Sequence, residues 1–185
     1  MSRKTHGAPA GGGAPFAMRE YATGPSQRAS SITFLDPDLG WLDFSPLELP
    51  HNTTAYGIVV FHGAATGNLY VALYDSLNYA PNNRLAVSPN TVASGASQLQ
   101  YIPFTASVDI TANLYFCALE PSNDTDTYMQ NINAIRMNLP AGIDNGLIWY
   151  RQNLGAYLVP PAAAAASQAT TIGNQPLMRL RVAVI

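Results

Sequence analysis

From Ser31 onward, short apolar runs alternate with clusters of turn-forming residues. The runs are rich in the β-branched and aromatic residues that favour strands, and no window longer than about ten residues keeps the 3.6-residue period of a helix. The predicted strands are Ile32–Leu35, Trp41–Phe44, Ala55–His62, Leu69–Tyr74, Arg84–Ser88, Gln98–Thr105, Leu114–Leu119, Met129–Met137, Leu147–Tyr150 and Met178–Ile185. Eight to ten strands at a spacing of roughly 8–12 residues predict an all-β, two-sheet antiparallel sandwich, with a jelly roll as the preferred form.

The runs also predict how some strands pair. Residues 55–62 are nearly all apolar, as in a strand buried on both faces, and residues 69–74 follow after a short turn as the expected hairpin partner. The strand at residues 41–44 should stop at Ser45 and Pro46, whereas Pro103 favours an edge position for its strand. Residues 160–166 read as a packed linker with at most one helical turn.

The amino-acid composition shows that the chain carries little charge. Its 185 residues are enough for one domain, but only 11% are charged, against about 25% in an average soluble domain. Free monomers keep themselves soluble with charged surfaces, so a chain with so little charge is expected to cover much of its surface with partners. No apolar run is long enough for a membrane-spanning helix, and the single cysteine excludes an internal disulfide.

The charge is unevenly distributed between an N-terminal segment and the rest. Residues 1–31 hold four basic residues and one acidic residue, net +3, whereas residues 32–185 hold five and ten, net −5. Residues 1–31 are also rich in Gly and Pro, and predict an extended arm before a sandwich domain at 32–185. The arm is either a disordered tail or a segment that orders on a partner. Its candidate partner-binding residues are Arg3, Lys4, Phe16, Met18, Arg19, Tyr21 and Arg28.

Candidate catalytic and metal-binding groups are sparse. His6, His51 and His62 lack partners at metal-ligand spacing, and Cys117 lies in the middle of an apolar run, as a buried residue would. Two acidic groups, Asp36/Asp38/Asp43 and Asp124/Asp126, lie in turns where Asp commonly bonds its own backbone. We therefore predict no catalytic residue, no cofactor and no metal site, with a glycoside hydrolase and a calcium-binding loop near Asn123 as weaker alternatives.

Tyrosines offer one more candidate site. Six of them follow the predicted strands and loops: Tyr70, Tyr74, Tyr79, Tyr101, Tyr150 and Tyr157. Aromatic faces pack on sugar rings, so Tyr79 and Tyr101 are possible glycan-binding residues. The alternative is that these tyrosines pack across strands or at a contact between subunits.

Part of the chain resembles a known group of modules. Residues 68–75 read NLYVALYD, residues 84–88 read RLAVS, and residues 108–119 read VDITANLYFCAL. These stretches resemble jelly-roll β-sandwich modules of tailed-phage virion proteins, such as head-decoration (cement), fibre and tail proteins. There a V-x-L-Y-D strand precedes a loop and a V-x-L-x-A-G-x-Y-x-x-A-L segment follows. Asn113 stands where glycine is usual, and asparagine also tolerates left-handed backbone.

The resemblance implies a non-enzymatic structural protein of the virion, foremost a capsid decoration protein whose arm joins neighbouring subunits. The expected partners are the major capsid protein or other virion subunits, together with further copies in a closed homo-oligomer, for which the resemblance favours a trimer. Nucleic acid is not expected as a partner, since the isoelectric point is about 5.8. A membrane is not expected either, since no apolar run is long enough to span one. A carbohydrate-binding or host-adhesion module of a phage fibre or tail is the alternative.

Overall fold

The computed structural model describes residues 18–22, 32–35, 38–123, 128–131, 150–168, 175–176 and 178–183. Within these ranges the secondary structure is all strand, with no helix. The strands are β1 (Met18–Ala22), β2 (Ile32–Leu35), β3 (Trp41–Leu49), β4 (Thr53–Phe61), β5 (Asn68–Leu77), β6 (Ala80–Val87), β7 (Thr91–Val92), β8 (Leu99–Ile110), β9 (Asn113–Pro121), β10 (Tyr128–Asn131), β11 (Tyr150–Asn153), β12 (Ser167–Gln168), β13 (Gln175–Pro176) and β14 (Met178–Ala183).

Two antiparallel sheets face each other. The first has the order β1-β14-β4-β8, and the second has the order β12-β11-β3-β9-β5-β6, with β7 beside β5. Strands β13, β10 and β2 form a small third sheet.

The chain passes repeatedly from one large sheet to the other. It starts in the first sheet with β1, enters the second with β3, returns with β4, and forms β5 and β6 in the second. It then adds β8 to the first sheet, β9 to the second and β14 to the first. Numbered along the chain, these eight strands lie in the orders 1-8-3-6 and 2-7-4-5, which is the arrangement of a jelly roll. The predicted sandwich is confirmed.

The main core lies between the two sheets. Ile58 and Leu180 of the first sheet and Leu73, Cys117 and Leu69 of the second are fully buried in one apolar cluster. The apolar runs therefore form strands because every second side chain enters this layer.

A second apolar layer covers the outer face of the second sheet. Phe44, Tyr74 and Phe116 point away from the main core and are nevertheless fully buried. They are covered by residues 154–166, which we call the strap. Leu154, Ala164 and Ala166 of the strap pack on this cluster. Burial on both faces explains why β5 and β9 are almost uniformly apolar.

Two predictions about β3, β4 and β5 were wrong. Strand β3 does not stop at Pro46 but runs through it, in register with β9. On its other side, the described part of β11 pairs with β3 from Trp41 to Phe44. Strands β4 and β5 are not a hairpin, because the turn between them carries the chain from one sheet to the other. Local apolar character marks both strands but does not specify their neighbours.

Other predictions had mixed outcomes. The edge position of the strand that contains Pro103 is confirmed, and this strand, β8, extends to Ile110. Asn113 is not left-handed; it begins β9, and its side-chain Oδ1 accepts a hydrogen bond from the N–H of Leu114. Residues 160–166 form no helical turn, since the strap is extended and bridges to Asn83. Of the predicted strands at 129–137 and 147–150, residues 132–137 and 147–149 lie outside the described ranges.

Strand β1 falls within the stretch predicted as an extended arm. Residues 18–22 pair with residues 179–183 of β14 at the edge of the first sheet, so this part of the chain belongs to the sandwich. The pairing satisfies one edge of β14, which would otherwise present free backbone groups. Residues 1–17 and 23–31 of the predicted arm lie outside the described ranges.

Candidate functional site

The N-terminal edge of the first sheet, which we define as β1 with the outer side chains of β14, brings a carboxylate of β1 together with two arginines of β14. Because outward-facing residues alternate, Glu20 lies opposite Arg181 in the register. Its Oε1 accepts a hydrogen bond from Arg181 Nη2 at 2.6 Å, and Oε2 accepts one from Arg179 Nη1 at 3.4 Å. The hydrogen bond from Arg181 holds the pKa of Glu20 below its usual value. The edge is thus held by one carboxylate between two guanidinium groups.

Three of the predicted partner-binding residues lie in β1. Met18 is 47% exposed, Arg19 is exposed, and Tyr21 is half-buried against the main core. Arg19 and Tyr21 line a pocket with residues of the β3–β4 turn and the end of β14: His51, Asn52, Thr53, Val182 and Ala183. The other four, Arg3, Lys4, Phe16 and Arg28, lie outside the described residues.

Tyr101 lies on the outer face of the first sheet, beneath a cation. The guanidinium carbon of Arg181 is 4.0 Å from the centroid of its ring, and its hydroxyl donates to the carbonyl of Tyr56 at 3.2 Å. Burial raises the pKa of the Tyr101 phenol. One face of this ring is therefore already in contact with Arg181.

Tyr79 lies elsewhere, at the turn between β5 and β6 of the second sheet. It has a positive φ of 64° and is 36% exposed. The two possible glycan-binding residues therefore belong to different sheets and do not line one face together. The glycan-binding role stays a prediction.

The other tyrosines pack on the second sheet and its strap. The Tyr74 hydroxyl donates to the carbonyl of Pro161 at 2.6 Å, the rings of Tyr70 and Tyr157 stack at 5.1 Å, and Tyr150 meets Phe116 edge to face. These contacts are packing within the domain, but they join the second sheet to the strap or to a next-but-one strand, whereas the sequence had offered packing across strands or at a subunit contact as the alternative to a sugar groove.

The strap is fastened by polar contacts and exposes apolar side chains. The Arg84 guanidinium donates to the carbonyl of Pro160, and the backbone N–H of Arg84 donates to the carbonyl of Ala162 at 2.8 Å. On the outside, Leu158 and Val159 are 52% and 53% exposed. The chain has no Asp, Glu, Lys or Arg from residue 152 to residue 178. The strap therefore presents an uncharged, largely apolar surface.

A buried carboxyl group lies under the strap. Glu120 of β9 is fully buried; its Oε1 accepts a hydrogen bond from the N–H of Leu158 at 2.7 Å, and its Oε2 has no partner among the described residues. Burial raises the pKa of Glu120 to about 7, although the Leu158 bond acts in the opposite direction. In the sequence, Glu120 directly follows the predicted strand Leu114–Leu119, and nothing there indicates that it is buried. Its burial results from the strap, which crosses over it.

Two carboxylates of the first candidate acidic group, Asp38 before β3 and Asp43 within it, form an ion-pair network with Arg151. Arg151 of β11 donates to Asp43 at 2.6 Å and to Asp38 at 2.8 Å, and its guanidinium lies 4.7 Å from the Trp41 ring centroid. Burial raises the pKa of Asp43 to about 6, whereas the positive charge of Arg151 lowers it. The network fastens β11 to β3. Asp36, Asp124 and Asp126 lie outside the described residues.

The remaining candidate catalytic or metal-binding residues that the structure describes in detail are His62 and Cys117, and both are buried. His62 is fully buried, and its Nε2 lies 2.7 Å from Gln100 Oε1. Cys117 is buried in the main core, and burial raises the pKa of its thiol. Within the described ranges, no three His, Cys, Asp or Glu side chains are grouped so that they could hold a metal ion.

Comparison with protein-family models and with curated protein sequences finds no match to this chain. In the part of the chain that the structure describes, there is no helix with the length and hydropathy needed to cross a membrane.

Proposed function

We propose that this chain is a non-enzymatic structural protein of a virus particle, a phage capsid decoration (cement) protein. The jelly-roll connectivity supports this function because the modules that the sequence resembles have the same architecture. A fold by itself is shared by many functions, so the proposal depends on the surfaces of the sandwich.

The observation that carries the proposal is the outer surface of the strap. It combines exposed Leu158 and Val159 with the absence of any charged side chain from residue 154 to residue 166, the whole length of the strap. Contiguous apolar surface that is free of charge is typical of the centre of a protein–protein interface. Here it would contact the major capsid protein or another virion subunit.

The position of β1 supports the role of the arm. Met18 lies at the edge of the first sheet, and 17 residues precede it in the sequence. Extended, 17 residues span at most about 60 Å, enough to cross a neighbouring subunit. Arg3 and Lys4 lie at the far end of this segment, and the sandwich itself has a net negative charge. The arm would join neighbouring copies in a closed homo-oligomer, for which we favour a trimer.

The test uses virus particles together with two matched variants. Leu158→Gln changes the strap, and Leu99→Gln changes an equally exposed leucine of β8, in the other sheet. Purified particles would be separated on a density gradient and the chain located by mass spectrometry. We expect the wild-type chain and Leu99→Gln to sediment with particles, and Leu158→Gln and a chain without residues 1–17 to lose most of this association.

A wild-type chain that remains at the top of the gradient would contradict the proposal. Equal binding by Leu158→Gln and the wild type would show that the strap is not the contact surface. Light scattering of the purified protein would separately measure the expected closed oligomer.

A further inference from the structure

Strand β1 is held to the sandwich mainly by contacts along its edge. Its side chains bury little apolar surface, since Met18 is 47% exposed, Arg19 and Glu20 are exposed, and Tyr21 is only half-buried. Besides the contact of Tyr21 with the main core, β1 is held by a backbone ladder to β14 and by the ion pairs of Glu20. A five-residue edge strand with so little apolar burial can detach without unfolding the rest of the domain.

The strand that β1 covers needs a partner. Leu180 and Val182 of β14 are part of the main core, and β4 pairs with β14 on its other side. If β1 left, the free edge of β14 would expose unpaired backbone groups, and Arg179 and Arg181 would lose their carboxylate. The β14 edge is therefore an acceptor for a strand that carries a carboxylate at the position of Glu20.

The chain between β1 and β2 is long enough for an exchange. Residues 23–31 separate the two strands and include Gly24 and Pro25. Nine residues span at most about 30 Å when extended. A domain of this size is about 40 Å across, since its radius of gyration is about 16 Å. A β1 strand can thus reach the β14 edge of an adjoining copy when that edge faces its own.

We propose that β1 is an exchangeable strand, which in the assembled state pairs with β14 of a second copy of this chain. This inference rests on the proposed function, since exchange is the means by which the N-terminal segment joins neighbouring subunits. The second copy is the favoured donor because its β1 has the same register and the same complementary charge as the strand it replaces. In such an exchange, known as domain swapping, the contacts between copies are the same as those within one copy, so no new interface has to form.

Cysteine cross-linking tests the exchange directly. Ala22 and Arg179 are register partners, and residues directly opposite on antiparallel strands lie within disulfide distance. Their substitution leaves the 2.6 Å bond between Glu20 and Arg181 in place. The native Cys117 is buried in the core, which limits background reaction.

One chain would carry Ala22→Cys and a second, size-tagged chain Arg179→Cys; the two would be coexpressed and oxidised. The matched control pair is Thr54→Cys with Asp109→Cys, register partners of β4 and β8 whose side chains also bond. We expect a disulfide-linked dimer between the first two chains and none between the control chains. When each pair is placed in a single chain, Ala22→Cys/Arg179→Cys should give linked oligomers and the control pair linked monomers.

A charge exchange provides a second test that needs no disulfide. Glu20→Arg and Arg181→Glu each place like charges together within one chain, but in a mixture every exchanged contact between unlike copies joins opposite charges again. We expect each variant alone to show reduced oligomer formation and the mixture to recover it.

The inference is overturned if the Ala22→Cys/Arg179→Cys chain links only within itself and the two single variants never link. It is also overturned if Arg179→Cys links to a different protein instead of to a second copy. The same samples would be run on the particle gradient. Particle association without links between copies would reject the exchange and leave the proposed function standing, whereas linked copies that do not sediment with particles would reject the proposed function.

Discussion

The guanidinium of Arg181 lies over the face of the Tyr101 ring, 4.0 Å from its centroid, although the two residues belong to strands that are not neighbours. Strand β4 separates them, and the residue of β4 opposite Arg181 is Gly57. A Cβ at Gly57 would lie 2.8 Å from Tyr101 Cε2 and 2.3 Å from the carbonyl oxygen of Ile102. The glycine therefore leaves the space in which the cation and the ring meet across the sheet.

Replacement of Gly57 by Ala should destabilise the fold strongly. The added methyl group collides with backbone atoms of β8 that cannot move without disturbing the sheet, and overpacking of this kind costs about 2–3 kcal/mol. Urea unfolding would measure the loss. Gly155→Ala is the comparison, because its φ is +73° and nothing lies within 4 Å, so only backbone strain of about 1 kcal/mol is expected. Equal losses in the two variants would contradict the steric explanation.

Arg181 and Tyr101 should be energetically coupled. A double-mutant cycle with Arg181→Met and Tyr101→Leu is expected to give a coupling of about 0.5–1 kcal/mol, the usual size of a cation–π contact near the surface. Arg181→Met also breaks the ion pair with Glu20, but this loss cancels in the cycle. Unfolding free energies from urea titrations supply the four corners. A coupling indistinguishable from zero would show that the stacking is incidental.

Tyr74→Phe should loosen the strap. The variant keeps the ring in its apolar layer but removes the hydroxyl that donates to the carbonyl of Pro161, at a cost of about 1 kcal/mol. Hydrogen exchange of the Ala164 amide, which bonds to Asn82, should become faster. Tyr115→Phe is the control, since its hydroxyl donates to the carbonyl of Thr111 in the β8–β9 turn and accepts from the N–H of Thr111. That variant should lose at least as much stability without affecting exchange in the strap.

Glu120 should make stability depend on pH. Because burial raises its folded pKa to about 7, above the ordinary 4.5, the folded state prefers the neutral acid. Its stabilising effect is complete below pH 4.5 and is lost as the pH rises through 7. Between pH 5 and pH 8 the free energy of unfolding of the wild type should fall by on the order of 2 kcal/mol relative to that of Glu120→Gln. Melting temperatures of the two proteins measured across this pH range would show the difference. Asp43, whose pKa is also raised, is present in both proteins and cancels. Parallel pH profiles would show that Glu120 does not titrate in this range.

Several features could be predicted from local pattern. The apolar runs at 55–62, 69–74 and 114–119 correspond to β4, β5 and β9. Strands β5 and β9 are buried on both faces and therefore need apolar residues at nearly every position. Pro103 correctly indicated an edge strand, since a missing N–H excludes central pairing. Strand content, the sandwich class and the burial of Cys117 followed from the same reasoning.

The tertiary structure decided which strands are neighbours and which segment covers the second sheet. Whether β5 pairs with β4 or with β9 depends on which sheet the intervening turn enters, and both choices bury the same apolar faces. Strand β1 lies in a segment with few apolar residues, and only the open edge of β14, some 160 positions away, makes it a strand. The exposed Leu158 and the buried Glu120 likewise follow from where the strap crosses the second sheet. Local sequence determines which segments become strands because side-chain alternation acts over a few residues. Neighbours, edges and coverings were settled by contacts between distant segments, whose free energy depends on the whole fold.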